Sequence, residues 1–225
     1  MKDRSLTFAA PTCGERCRQN TPENAFPQVR TILPGDAGWG GPVSPLLGSV
    51  QATRAHVYVT GNHEYHTEAQ GWVDLMDALG WEPLRNRHLL LERGGDTLVV
   101  AGVDDVTAES SGLAGHRAHL AGALRGADPE LPVLLLAHQP AFVDRAAAEG
   151  VDLQISGHTH GGQIWPFHYP VRLDQPALAG LSHHGARTLL HTSRGAGFWG
   201  PPFRVFALSE ITLLVLRSPR QPASS

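Results

Sequence analysis

The sequence predicts a layered α/β domain with mixed β-sheets. Short apolar runs, which are typical of buried strands, alternate with segments of helical spacing, and one pair of these runs is joined by a tight turn. The chain has 225 residues, of which 41% are hydrophobic and 17% are charged, and this composition fits one domain with a sizeable core. We expect the domain to span residues 29–216, between a poorly ordered segment at 1–28 and a disordered tail at 217–225.

The first half of the chain contains four strand-like runs, at residues 29–33, 56–60, 89–91 and 98–103. The last two flank the turn Gly94-Gly95-Asp96 and therefore predict a hairpin. Apolar residues recur at helical spacing between Gly71 and Gly80, which predicts a helix closed by glycine. A weaker helix is expected within residues 43–54.

The second half repeats the alternation of helices and strands. Helices are predicted at residues 116–124 and 141–149, and strands at 132–136, 151–156, 188–192 and 210–216. Loops at the ends of strands are where such folds place their chemistry.

The charge and hydropathy patterns exclude several classes of partner. The net charge is −3 and Lys2 is the only lysine, so we expect no nucleic-acid partner. No run approaches the roughly 20 apolar residues of a membrane span, and the apolar stretch within residues 1–12 is too short for a signal peptide. The expected location is therefore cytoplasmic or peripheral to a membrane.

Three strand ends carry side chains that suit a metal centre. Residues 157–163 read Gly-His-Thr-His-Gly-Gly-Gln and directly follow a strand-like run, as do Asn62 in the first half and His138 in the second. If the segment is extended, His158 and His160 project the same way. Imidazole nitrogens and amide oxygens bind Zn, Mn or Fe at hydrolytic centres.

Asp36 is the candidate for a bridging carboxylate. It follows the strand-like run at 29–33 and a glycine, which is the same placement as in the other three motifs. The alternative is a plain turn residue, because Gly-Asp-Ala-Gly is ordinary turn chemistry.

These motifs together resemble the calcineurin-like metallophosphoesterase superfamily and, within it, a membrane-associated bacterial phosphohydrolase branch. The resemblance covers residues 29–216 and is carried by segments 61–65, 101–105, 135–140, 156–166 and 193–202. It implies a sandwich of two mixed β-sheets flanked by helices, with two divalent metal ions (Mn, Fe or Zn) at the strand ends. A phosphoric ester hydrolase that activates water for attack on phosphorus is the implied activity.

The resemblance also implies a role for each site residue. Asp36 would bridge the metals, Asn62, His138 and His158 would complete one site, and His160 would belong to the other. His63 is the implied catalytic histidine, which contacts the phosphate and protonates the leaving oxygen, although a structural role for His63 stays open.

The sequence departs from the family at its N-terminal end. The family's first strand carries an Asp-x-His motif, and residues 1–60 contain none, so we expect an N-terminally incomplete fold. The second site keeps only Asp36 and His160, and two ligands make a weak site. The alternative function is therefore a degenerate or truncated, inactive member that binds one metal or a phosphate ligand.

The expected substrate is a phosphorylated small molecule or a lipid-like compound. Trp165, Phe198 and Trp199 lie in loops rich in proline and glycine near the motifs. Such loops favour an apolar substrate or a membrane surface nearby, while core packing explains the aromatic residues equally well.

Overall fold

The computed structural model describes residues 47–217 and, in addition, the backbone of two short strands nearer the N-terminus. Asp36 lies outside the described residues. The strands, in chain order, are β1 (Thr7–Ala9), β2 (Arg30–Ile32), β3 (His56–Tyr58), β4 (Glu82–Pro83), β5 (Arg87–Arg93), β6 (Asp96–Gly102), β7 (Val133–Leu136), β8 (Leu153–Ser156), β9 (Gly180–His184), β10 (Thr188–Thr192) and β11 (Val215–Arg217).

The helices lie mainly between strands. They are α1 (Asn62–His66), α2 (Ala69–Ala78), α3 (Leu120–Ala123), α4 (Val143–Ala148) and α5 (His168–Asp174), with 3₁₀ turns at Ala108–Ser111, Pro140–Phe142 and His160–Gly162.

A six-stranded mixed sheet, in the order β5-β6-β7-β8-β10-β9, forms the main layer. Strands β6, β7, β8 and β10 are parallel, and the edge strands β5 and β9 are antiparallel to their neighbours. Helices cover one face and a second sheet covers the other, so the inner strands are almost continuously apolar.

Successive side chains of β7 point to opposite faces of the sheet and show how the layers pack. Leu136 belongs to the core cluster that contains Val57 and Leu84 from the second sheet. Its neighbour Leu135 points the other way, into the cluster that contains Phe142 beneath α4. The predicted layered α/β fold, with sheet packed on sheet and helices outside, is therefore confirmed.

The second sheet has the order β2-β3-β4, and both of its described pairings are parallel. The register places Ile32 opposite Tyr58 and Tyr58 opposite Pro83. Strands β1 and β11 form a separate antiparallel pair. The mixed pattern that was expected of both sheets is thus found in the six-stranded sheet alone, among the strands the structure describes.

Most predicted strands lose one or two residues at their ends, and two predicted elements are shortened by more than that. The helix predicted at 116–124 is reduced to α3. The backbone amides before α3 bind side chains and not helical carbonyls: the Arg117 amide donates to Asp104 and the His119 amide donates to Asn86. The strand predicted at 210–216 begins only at Val215.

Several elements escaped prediction. Helix α1 has only five residues, and its start is fixed by the Gly61 amide, which donates to the Glu64 carboxylate at 2.6 Å. Helix α5 has no buried residue, and Tyr169 and Leu173 are exposed, so it shows no amphipathic pattern. Strand β9 is an edge strand with no buried residue.

The two sheets approach closely at Gly102, the last residue of β6. A Cβ atom there would lie 2.4 Å from Leu84 Cβ and 2.7 Å from Val59 Cγ1. We expect Gly102→Ala to lower the free energy of unfolding by about 1–3 kcal/mol, because the added methyl group forces the sheets apart. Urea denaturation measures this change.

Gly48→Ala is the matched control, since its Cβ would meet only the end of the Leu79 side chain at 3.3 Å. Equal midpoints for the two variants would contradict the close approach of the sheets at Gly102.

Candidate metal centre

The site forms where the carboxyl ends of strands from both sheets meet. His138 lies two residues beyond β7, and His158 lies two residues beyond β8. Because these strands are parallel neighbours, both residues emerge at one edge of the sheet. Asn62 comes from the other sheet, four residues beyond the end of β3, where it begins α1. The predicted convergence of these three residues is thus found in the structure.

Three potential ligand atoms converge on one point. Asn62 Oδ1 lies 3.0 Å from His138 Nε2 and 3.1 Å from His158 Nδ1, and the two ring nitrogens are 3.3 Å apart. Metal–ligand bonds of about 2.0–2.1 Å place neighbouring ligand atoms about 2.9–3.4 Å apart, from octahedral to tetrahedral angles. The spacing of these atoms therefore fits a divalent metal ion.

Burial keeps both imidazoles in the form that binds metal. Burial lowers the pKa of His138 well below its ordinary value, and the neighbouring His158 and His160 lower it further. The pKa of His158 is also lowered, chiefly by burial. Neutral imidazole is the ligand form, so the donor set of one amide oxygen and two ring nitrogens fits a metal in charge as well as in spacing.

Residues next to the site brace the loops that carry it. The Asp105 carboxylate accepts hydrogen bonds from the Thr107 amide at 2.9 Å and from Gln139 Nε2 at 3.0 Å. It thereby ties the loop after β6 to the loop that carries His138. Asp104 accepts two hydrogen bonds from Arg85, each 3.0 Å long. Both aspartates hold loops in place.

His63 directly follows Asn62 in α1. It is half-buried, and its charge lowers the pKa of His138 and His158. Burial also lowers the pKa of His63 itself, with a further effect from His66. The catalytic role of His63 stays a prediction.

His160 takes a different direction from His158. Both residues have positive φ, 67° for His158 and 49° for His160, so the segment is a turn and the expectation of an extended chain with both rings on one side is wrong. Among the residues that the structure describes, no group of three or more His, Cys, Asp or Glu side chains is arranged to hold a metal ion. The role of His160 as a ligand of the second metal stays a prediction.

The partner of His160 is Arg204, a residue that no sequence motif indicates. Arg204 Nη2 lies 3.2 Å from His160 Nδ1, and Arg204 Nη1 donates to the His160 carbonyl at 3.1 Å. Burial, followed by the charge of Arg204, lowers the pKa of His160 to about 4, while a hydrogen bond to the Gly197 carbonyl opposes the shift. The ring is thus held neutral beside a guanidinium.

Asp36 cannot be placed in the site, because it lies outside the described residues. The strand before it is described, and its Ile32 pairs with Tyr58 of β3. Asp36 follows Ile32 by four residues in the sequence, and Asn62 follows Tyr58 by the same number. The role of Asp36 as a metal ligand stays a prediction that this register supports.

Residues 20–162 match the sequence profile of the calcineurin-like phosphoesterases. The chain belongs to this family. A bovine relative, "Transmembrane protein with metallophosphoesterase domain" from Bos taurus, is 37% identical over 185 residues, which are 78% of this chain and 41% of the relative. An "Uncharacterized metallophosphoesterase" from Helicobacter pylori is 38% identical over 171 residues, which are 76% of this chain and 45% of the relative.

The chain thus spans less than half the length of these two relatives. Since they come from an animal and a bacterium, the bacterial branch of the family stays a prediction. Among solved structures, a sulfate thiohydrolase, SoxB from Thermus thermophilus, is 21% identical and covers 60% of this chain and 27% of its own, with a TM-score of 0.42. Within the described part of the chain, no helix combines the length and the apolar character that a bilayer crossing requires.

Removal of one imidazole tests the metal centre directly. We expect His158→Ala to abolish metal retention, because it deletes one of the three converging ligand atoms. Metal content after dialysis, measured by inductively coupled plasma mass spectrometry, checks this. His183→Ala, an exposed histidine on β9, is the control. Equal metal content in the two variants would contradict the assignment of His158 as a metal ligand.

Proposed function

We propose that this family member is a metal-dependent phosphoric ester hydrolase that activates water for attack on phosphorus. The observation that carries the proposal is the convergence of Asn62 Oδ1, His138 Nε2 and His158 Nδ1 within 3.0–3.3 Å of one another. The relatives support the reaction class, because they are named metallophosphoesterases.

Different residues of the chain would bind the metal and donate the proton. Asn62, His138 and His158, together with Asp36, would hold the metal. When bound, a divalent ion supplies a Lewis acid that polarises the phosphoryl oxygen and lowers the pKa of water. His63 is proposed to donate a proton from its ring to the leaving oxygen, since it directly follows Asn62 in α1 and its charge acts on both His138 and His158.

The second metal site is proposed to be weak. Its candidate ligands are His160 and Asp36, and His160 lies against Arg204. A fixed guanidinium there offsets negative charge on a bound phosphate, as arginine does at other phosphoryl-transfer sites.

The same observation favours a second candidate function. An arginine beside His160 and the missing Asp-x-His motif suit a catalytically inactive family member that holds one metal or a phosphate ligand. The active hydrolase and the inactive family member both require metal or phosphate binding, and only a measurement of ester hydrolysis distinguishes them.

We propose an amphiphilic phosphoester as the substrate and the surface of a membrane as the place of action, with no nucleic-acid partner. Most of the exposed large apolar side chains lie between residues 165 and 213, including Trp165, Phe167, Phe203 and Phe206. Aromatic residues of this kind are enriched where an apolar phase meets water. The bovine relative carries "Transmembrane" in its name, which supports a location near a bilayer.

Metal removal and restoration test the hydrolase proposal. We expect the chelated protein to be inactive on 4-nitrophenyl phosphate and bis(4-nitrophenyl) phosphate, and Mn²⁺, Fe²⁺, Co²⁺ or Zn²⁺ to restore the release of nitrophenolate. His138→Ala should stay inactive with each metal. A protein that takes up metal and hydrolyses neither ester would support the inactive alternative.

His63→Ala tests the assignment of the proton donor. We expect kcat to fall by about 10²–10⁴-fold, because general acid catalysis contributes this much, while metal content is unchanged. His183→Ala, an exposed histidine on β9, is the control and should keep kcat. Loss of metal from His63→Ala would show that His63 is a metal ligand and not the proton donor.

A further inference from the structure

A cavity of about 470 Å³ opens beside the turn that carries His160. Gly161 and Gly162 of that turn contribute to its wall, and they follow His158 by three and four residues in the chain. Its lining combines basic side chains with apolar ones: Arg172, Arg194, His168, Trp165, Leu178 and Phe206.

The glycines allow the cavity to lie against the turn. Both have positive φ, 64° at Gly161 and 80° at Gly162. A Cβ at Gly161 would lie 2.9 Å from Arg194 Cγ, and one at Gly162 would lie 2.5 Å from His168 Cβ. Two of the basic side chains therefore pack directly on the backbone next to His160, at a distance that glycine alone permits.

The basic residues leave positive charge at the cavity. Arg194 is paired with Glu210 through a contact of 3.0 Å. Arg172 is exposed on α5, and within residues 47–217 no hydrogen bond or ion pair joins it to another side chain. Asp174, the acidic residue on the same helix, accepts a hydrogen bond from Gln175. The Arg172 guanidinium is thus available to an anionic ligand.

The apolar part of the lining is unusually open to solvent. Trp165 is 55% exposed and Phe206 is 89% exposed. Large aromatic side chains in this position lose contact with water when an apolar group binds between them. The cavity therefore presents an acid-binding group and an apolar wall side by side.

We propose that this cavity binds the non-reacting part of the substrate, and that this part carries both an acidic group and an apolar group. The inference rests on the proposed hydrolase function and narrows its substrate class to phosphoesters with a second anionic group, such as a phosphate, sulfonate or carboxylate. The phosphoryl group that reacts would lie at Asn62, His138 and His158, beyond the His160 turn.

A pair of fluorescent probes separates the two kinds of contact. 8-Anilinonaphthalene-1-sulfonate and N-phenyl-1-naphthylamine share an aromatic body and differ in the sulfonate. We expect the wild-type protein to bind the sulfonated probe about tenfold more tightly, because one charge-assisted hydrogen bond contributes about this factor. Arg172→Ala should remove that preference without weakening the neutral probe.

Arg125→Ala is the matched control, because Arg125 is also an exposed arginine with no side-chain partner among the described residues. Trp165→Ala should weaken the binding of both probes. An unchanged preference for the sulfonated probe in Arg172→Ala would overturn the proposal. These titrations require no turnover, so they can be read even if the hydrolase proposal fails.

Displacement of the sulfonated probe by phosphate compounds tests which kind of substrate the cavity binds, a lipid or a free small molecule. Lysophosphatidic acid and glycerol 3-phosphate share a phosphate, one on a lipid and one on a free small molecule. Displacement of the sulfonated probe by either compound supports the proposal and identifies the source, and displacement by neither overturns it.

Discussion

The close approach of the two sheets at their carboxyl edges is the constraint on which the site depends. His138 and His158 leave the six-stranded sheet, whereas Asn62 leaves the three-stranded sheet and lies 3.0 Å from His138. Neither sheet alone brings these atoms together. Gly102, at the end of β6, allows the sheets to lie so near that a methyl group would collide with Leu84. The packing of the core therefore sets the spacing of the candidate ligands, and the spacing sets what they can bind.

The centre is asymmetric because the His-x-His segment turns. Left-handed backbone at His158 and His160 sends their rings to different partners, one to Asn62 and His138 and the other to Arg204. On one side, neutral donors converge as a metal requires. On the other side, a guanidinium anchored on several carbonyls already provides a positive charge. The proposed chemistry follows this division: metal binding on the first side, and recognition of an anionic substrate on the second side and in the cavity beyond it.

Sequence patterns predicted the elements whose signals are local. The apolar runs gave the inner strands, and polar residues directly after them gave Asn62, His138 and His158. The orientation of His160 was not predictable from spacing, because it depends on a positive φ that non-glycine residues rarely adopt. Arg204 carried no signal at all, since its role comes from tertiary contacts made from a loop. Helix α1 was missed because its five residues are too few to show a periodic pattern. A hydrogen bond from the Gly61 amide to the Glu64 carboxylate stabilises it instead.

X-ray absorption spectroscopy of the metal-loaded protein tests whether Asn62, His138 and His158 bind the metal, because it reports the atoms around the ion. We expect a first shell with two imidazole nitrogens together with oxygen ligands, and we expect His138→Ala to bind less metal and to show weaker imidazole scattering from the metal that stays. A shell without imidazole, or a spectrum of His138→Ala that matches the wild type, would contradict the assignment of Asn62, His138 and His158 as the metal centre.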